Sequence, residues 1–213
     1  MDTDLTDWVS ILAGGQSGPE YVVVTPERVA SLCLTDSVEQ LEKSQASVMR
    51  LALAAKSAHL ALQAALTAAL AGSANIGAHP EKLQARYIQY FEESRTTPLA
   101  PPESDRVMGF SELLNAARSE PLPWSNAPLV LSDSEVELLE RLTKVRHAVE
   151  HPKQMHHSIE QKYVLEVLPL AAKISVILLE TVSHHLESGE IERLRACVDK
   201  IDELCELGIQ TQS

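Results

Sequence analysis

Hydrophobic residues recur along most of this chain at intervals of three and four, the spacing that places them on one face of an α-helix. The longest run begins near Asp36 and ends at Gly72, which predicts a single helix of about nine turns. Its apolar stripe consists of Leu41, Val48, Ala52, Ala55, Leu62, Leu66 and Ala69. Further leucines lie outside the stripe, so we expect this helix to occupy the centre of a bundle or to be clasped in a dimer.

Other helices are predicted on both sides of a proline-rich region. One runs from about Pro80, at a position that proline tolerates, to near Ser94, and a short one covers residues 110–118. Six of the eleven prolines fall between Pro98 and Pro128. This clustering predicts loops near residues 95–131 that cross the bundle.

The clearest helix start is the capping box Ser132-Asp-Ser-Glu135. We expect the helix that it opens to end at Pro152, because the residue before a proline disfavours helical geometry. A further helix is expected to open at Pro169 and to end near Gly189. A last amphipathic helix is predicted over residues 191–205.

Composition supports the same fold class. The chain is 45% hydrophobic with 4% aromatic residues and 8 glycines, which favours packed helices over sheets. We therefore predict an all-α, up-and-down bundle of about five to six helices. Residues 36–208 are expected to form one domain, after an N-terminal segment, residues 1–35, with little pattern beyond a short helix over residues 5–13. Residues 209–213 are expected to be a tail.

Charge and cysteine content limit the partners and the compartment. A formal net charge of -12 repels phosphate backbones, so broad DNA binding is not expected. An odd number of cysteines without a CxxC pair predicts reduced thiols and a cytoplasmic protein. The acidic start of the chain lacks the pattern of a secretion signal, and Lys56, His59 and Gln63 interrupt the longest apolar stretch, which predicts no membrane span.

Candidate chemistry is concentrated in the segment from Lys144 to Ser158, which contains four of the eight histidines. Arg146 falls inside or at the edge of the apolar stripe of its helix, formed by Leu138, Leu142, Val145 and Val149. Glu150, one turn later, is a partner for its charge, or the stem extends to the surface. Alternatively, Arg146 faces a shared interface that holds an anion. Because His151 precedes Pro152, we expect the helix to unwind there and the imidazole to swing toward Arg146.

The hexapeptide Arg146-His147-Ala-Val-Glu-His151 resembles the Arg-x4-His signature of HEPN domains, in which a polar residue follows the arginine. The run from Leu131 to Glu160 is similar to bacterial HEPN-like proteins that carry LRNxxxH, then a proline and WSIE. This chain has His147 where asparagine is commoner and His157 where those relatives tend to have tryptophan. The similarity is concentrated in residues 110–182.

The resemblance implies a helical bundle that dimerises and a metal-independent endoribonuclease. It assigns phosphate or transition-state stabilisation to Arg146, acid/base catalysis at the ribose 2′-hydroxyl to His151, and a supporting polar role to His147. Residues 144–162 carry a local net charge of +2, from Lys144, Arg146, Lys153 and Lys162 against Glu150 and Glu160, which would allow RNA to approach. The neighbours expected to support the site or bind substrate are Lys144, Glu150, Lys153, His156 and His157.

The same residues leave two alternatives to an endoribonuclease, a zinc site and a non-catalytic module. His147 and His151 have an i,i+4 spacing that zinc uses, but no third ligand has a convincing spacing, so no metal or other cofactor is expected. The apolar helix faces and the position of Arg146 in an apolar stripe predict a homodimer with Arg146 near its two-fold axis. The resemblance adds an RNA substrate and an antitoxin-like protein partner. The competing hypothesis is a non-catalytic helical dimer or partner-binding module in which Arg146 is structural.

Overall fold

The computed structural model describes residues 23–45, 47–151 and 158–210. Within these ranges the chain forms seven α-helices and no β-strand, which confirms the prediction of an all-α bundle. The helices are α1 (Pro26–Glu42), α2 (Met49–Ala71), α3 (Glu81–Glu93), α4 (Phe110–Ser119), α5 (Asp133–Glu150), α6 (Gln161–Thr181) and α7 (Glu190–Gln210). The predicted helix over residues 5–13 lies outside the described residues.

The single long helix predicted from Asp36 to Gly72 is wrong, because the chain turns back on itself between α1 and α2. The turn contains a short 3₁₀ segment, Lys43–Gln45, and a hydrogen bond from the Ser47 amide to the Ser44 carbonyl. The Ser37 hydroxyl donates to the Ala54 carbonyl, 3.0 Å away, and ties the two helices together. A continuous helix of about 55 Å would leave one of its two apolar faces in water, whereas the hairpin buries one face on the other.

Helix α1 also begins earlier than the pattern indicated. Thr25 caps it by accepting a hydrogen bond from the Arg28 amide, and Pro26 occupies the first turn, where proline is tolerated. Ala30 and Leu34 of this helix are fully buried. Residues 26–35, predicted as part of an N-terminal segment outside the helical domain, therefore belong to the bundle, with Ala30 and Leu34 in its core.

Helix α2 lies at the centre of the bundle, as its two-sided apolar pattern predicted. It packs against α1, α4, α5 and α6, while α7 packs against α6 and α1. Leu62 and Leu66 are fully buried, and the many alanines of α2 allow neighbouring backbones to approach closely. The central position explains why this helix has apolar residues on more than one face.

The boundaries of α3, α4 and α5 agree with the local signals in the sequence. The capping box of α5 is present: Ser132 accepts from the Glu135 amide, and the Glu135 carboxylate accepts from the Ser132 amide. Leu142 and Val145 of the predicted stripe are buried, whereas Leu138 and Val149 are only partly buried. The stripe omitted Leu139, which is fully buried, and Leu138 packs at the edge of the core.

Helix α6 does not open at Pro169, as expected, but eight residues earlier, with Pro169 in its interior. Proline removes one backbone hydrogen bond from a helix, and the buried side chains before it offset that loss. These are Tyr163, Val164, Leu165, Val167 and Leu168. Helix α7 extends to Gln210, into the predicted tail. No helix in the described ranges combines the length and apolar character needed to cross a membrane.

Candidate functional site at the end of helix α5

The predicted site residues in the last turns of α5 lie on two different faces of the helix. Arg146 and Glu150 are partly buried against α2, whereas His147 and His151 are exposed. Successive residues on a helix point about 100° apart, so the arginine and the histidine that follows it cannot share one face. The packing of α5 on α2 decides which of them lies inside.

Arg146 is held by two side chains that face it from different elements. Its Nε donates to Oε2 of Glu150 at 2.7 Å, one helical turn away. Its Nη1 donates to Oε1 of Gln63 on α2 at 3.3 Å, and the side chain is 28% exposed. Of the roles predicted for Arg146, pairing with Glu150 is the one confirmed.

Glu150 is shared between two cations. Nζ of Lys56 lies 3.9 Å from Oε1 of Glu150, on the carboxylate oxygen that Arg146 does not use. Partial burial opposes ionisation of this carboxyl, but the hydrogen bond from Arg146 and the charges of Arg146 and Lys56 lower its pKa below the ordinary value.

We call the residues that join these helices the α2–α5 polar seam: Lys56, His59, Gln63, Thr143, Arg146 and Glu150.

His59 is the most deeply buried member of the seam. Its Nε2 lies 3.2 Å from the Thr143 hydroxyl, and its ring contacts Phe110 with the centroids 4.5 Å apart. Nδ1 is buried with no hydrogen-bond partner among the described residues. Burial, together with the nearby Arg146 charge, lowers the pKa of this imidazole to about 4, so the ring is neutral at pH 7.

His147 and His151 contact each other on the exposed side of α5. Their ring centroids are 5.9 Å apart with an interplanar angle of 29°. The His151 amide donates to the His147 carbonyl at 2.9 Å, and His151 itself has left helical geometry with φ -127° and ψ 69°. The helix therefore ends where Pro152 predicted, but the imidazole of His151 lies against His147.

Among the described residues, no hydrogen bond or ion pair joins Arg146 to His147 or His151. The expected contact between His151 and Arg146 is therefore not among the described bonds, and the ring of His151 contacts His147. Lys144 is exposed on α5. The other predicted neighbours, Lys153, His156 and His157, lie outside the described residues, and the described ranges contain no group of three side chains placed to hold a metal ion.

The contributions of α2 to this site were missed from the sequence. Lys56, His59 and Gln63 follow the spacing i, i+3, i+7, and Thr143, Arg146 and Glu150 on α5 follow the same spacing. Two polar stripes of equal spacing in otherwise apolar helices are a signal for an interhelical polar contact.

Comparison of the chain with protein-family models, with curated proteins and with solved structures finds no match. The resemblance to HEPN domains therefore stays a prediction based on the motif. The described geometry supports two kinds of chemistry at this end of α5. The seam is a network of hydrogen bonds and ion pairs that fastens two helices, and the histidine pair is exposed and accessible to a substrate.

Proposed function

We propose that this protein is a non-catalytic, HEPN-like helical module that binds protein partners, and that Arg146 is structural within it. The observation that carries this proposal is the direction of the Arg146 side chain, which hydrogen-bonds to Glu150 and Gln63 toward α2. A guanidinium engaged in this way has fewer donors left for a phosphate group, and Glu150 offsets its charge.

The first partner we propose is a second copy of the chain. Val48 and Met49, at the start of α2, are 58% and 66% exposed, and they border an apolar hollow of about 300 Å³. Leu51 and Val164, which are buried, and Ile159, which is half-buried, line the same hollow beneath them. Exposed apolar patches of this kind mark protein contact sites. We call Val48, Met49, Leu51, Ile159 and Val164 the α2 start patch.

A metal-independent endoribonuclease is the second candidate, because His147 and His151 form an exposed pair. One neutral imidazole would take the proton of a ribose 2′-hydroxyl as its oxygen attacks phosphorus. The other, protonated, would give a proton to the departing 5′ oxygen, which leaves a 2′,3′-cyclic phosphate. This candidate also requires a cation at the phosphate, supplied by Arg146 in a different rotamer or by the Arg146 of a second copy.

RNA cleavage in EDTA separates the two candidates. Wild type and His151→Ala are incubated with single-stranded RNAs of varied sequence and with DNA of matching sequence. The non-catalytic proposal predicts no RNA cleavage by wild type above the His151→Ala background. The endoribonuclease predicts cleavage of RNA but not DNA, because the nucleophile is the 2′-hydroxyl, and a loss of about 10²- to 10⁴-fold in His151→Ala.

Two control variants make the assay specific. His185→Ala removes an exposed histidine of the 3₁₀ segment Ser183–His185 and should change nothing in either case. Arg146→Ala should reduce the stability of the bundle in both cases, but only the endoribonuclease loses cleavage with it. Cleavage by wild type that His151→Ala removes and His185→Ala retains would contradict the non-catalytic proposal.

A further inference from the structure

A shallow apolar groove runs beside Arg146, on the side of α2 that the other helices leave partly open. Its volume is about 430 Å³, and it is bounded by the N-terminal end of α1, by α2 and by Val107. The floor includes Leu60, Ala64 and Thr67 of α2, all only partly buried. A partly exposed apolar strip on the central helix of a bundle is a surface that another chain segment can cover.

The groove is apolar along its length and polar at one margin. Val24, Pro26 and Val29 form one wall, and the side chains of Arg146 and Gln63 contribute polar atoms. Arg146 belongs to the α2–α5 polar seam, in which two cations share the carboxylate of Glu150. Among the described residues Arg146 is the one charged side chain that lines the groove, and no carboxylate lines it, which favours an apolar occupant that also carries carboxylates.

The N-terminal residues of this chain have that composition. Leu5, Trp8, Val9 and Leu12 follow the spacing i, i+3, i+4, i+7, which predicts one apolar face of a short helix. Asp2, Asp4 and Asp7 supply negative charge in the same stretch. The described chain begins at Val23, next to the groove wall at Val24, so this segment is attached at the edge of the groove.

We propose that residues 5–12 dock in this groove within the same chain. The connecting residues 13–22 reach at most about 35 Å when extended, which is enough for the segment to return along the floor at Leu60. Attachment to the same chain makes docking an intramolecular step, so it needs less contact area than an association between separate molecules. The docked segment covers one side of Arg146. The α2 start patch, which has no residue in common with the groove lining, stays uncovered.

Tryptophan fluorescence of the full-length protein tests this proposal, because the chain has only Trp8 and Trp124. In a Trp124→Phe variant excited at the long-wavelength edge of the tryptophan band, where the four tyrosines do not absorb, all emission comes from Trp8. We expect that emission to lie at shorter wavelength than in the same protein unfolded in urea, and acrylamide quenching to be several-fold weaker. Leu60→Glu places a charge on the floor of the groove and should restore strong quenching.

Two further variants show whether a change in Trp8 quenching comes from the groove or from a loss of folded structure. Val24→Glu changes an exposed residue of the groove wall and should also restore quenching without touching the core. Leu32→Glu, at an exposed position of α1 that is not part of the groove lining, should leave Trp8 protected. Circular dichroism confirms that each variant remains helical.

Several outcomes would overturn the proposal. One is quenching of Trp8 in the folded protein as strong as in urea. Another is Trp8 protection that survives both Leu60→Glu and Val24→Glu. If the protection disappears on dilution in step with dissociation of a dimer, the groove is filled by the segment of a second copy, and docking within one chain is wrong.

Discussion

His59 places a titratable group in the apolar core between α2, α4 and α5. Its pKa of about 4 is below the ordinary value of 6.5 because burial penalises the charged ring, with Arg146 adding repulsion. Between these two pH values the unfolded chain binds a proton that the folded chain does not. The stabilising effect of the neutral ring is therefore complete above pH 6.5 and is lost as the pH falls toward 4.

Urea unfolding as a function of pH measures this effect. From pH 7.5 to pH 5 we expect wild type to lose about 2 kcal/mol of unfolding free energy through His59 alone. His59→Gln keeps a hydrogen-bonding group for Thr143 but cannot titrate, so its stability should change much less over that range. Glu150, whose pKa is lowered, loses its contribution only at more acidic pH.

An exposed histidine provides the control for this titration. His184→Gln is the matched control, because the same substitution is made at an exposed histidine outside the α2–α5 polar seam. Equal slopes for wild type and His59→Gln between pH 7.5 and 5 would show that the ring of His59 is solvated or paired in the folded protein.

Only part of the site could be read from the sequence. The pairing of Arg146 with Glu150 depends on spacing within one helix, so it was among the predicted alternatives. The contact between Arg146 and Gln63 joins residues 83 positions apart, and no local rule relates them. The contact between His151 and His147, in contrast, has the local spacing i,i+4, and it was missed because the break before Pro152 was expected to turn His151 toward Arg146.

At the level of the helices, capping residues and prolines in the sequence correctly predicted the helix ends that depend on local contacts. The capping box at Ser132 and the break before Pro152 gave the limits of α5 to within a residue or two. The sequence pattern predicted the wrong helix bounds where packing between distant segments determines them. The reversal between α1 and α2 buries two apolar faces on each other, and buried residues before Pro169 extend α6 across a proline that would otherwise begin a helix.

The two adjacent leucines of α5 test its register. Leu139 is fully buried and Leu138 is partly buried. We expect Leu139→Ala to lower the free energy of unfolding by about 2 to 5 kcal/mol, because it removes core contacts and leaves a cavity. Leu138→Ala should cost about 1 kcal/mol, since less of its surface leaves water. Chemical denaturation of both variants is the measurement, and a larger loss for Leu138→Ala would contradict this register.

On the scale of the whole molecule, the net charge of -12 opposes association of two copies, whereas the α2 start patch favours it. Apolar contact acts only at short range, and the repulsion between acidic surfaces is reduced by dissolved salt. A homodimer held by this patch should therefore become more stable as salt is added. A dimer held mainly by ion pairs would respond in the opposite direction.

Sedimentation velocity at micromolar concentration tests the proposed dimer and its surface together. Wild type should sediment as a dimer whose dissociation constant falls as salt is raised. Met49→Glu places a charge in the α2 start patch and should raise the dissociation constant by about tenfold or more, equivalent to about 1.4 kcal/mol.

Leu32→Glu adds the same charge at a position of α1 that is 71% exposed and outside the patch, so it should have little effect beyond added repulsion. Because the two variants have equal net charge, a loss of the dimer in Met49→Glu alone assigns association to the patch. A monomeric wild type, or equal weakening in both variants, would exclude it.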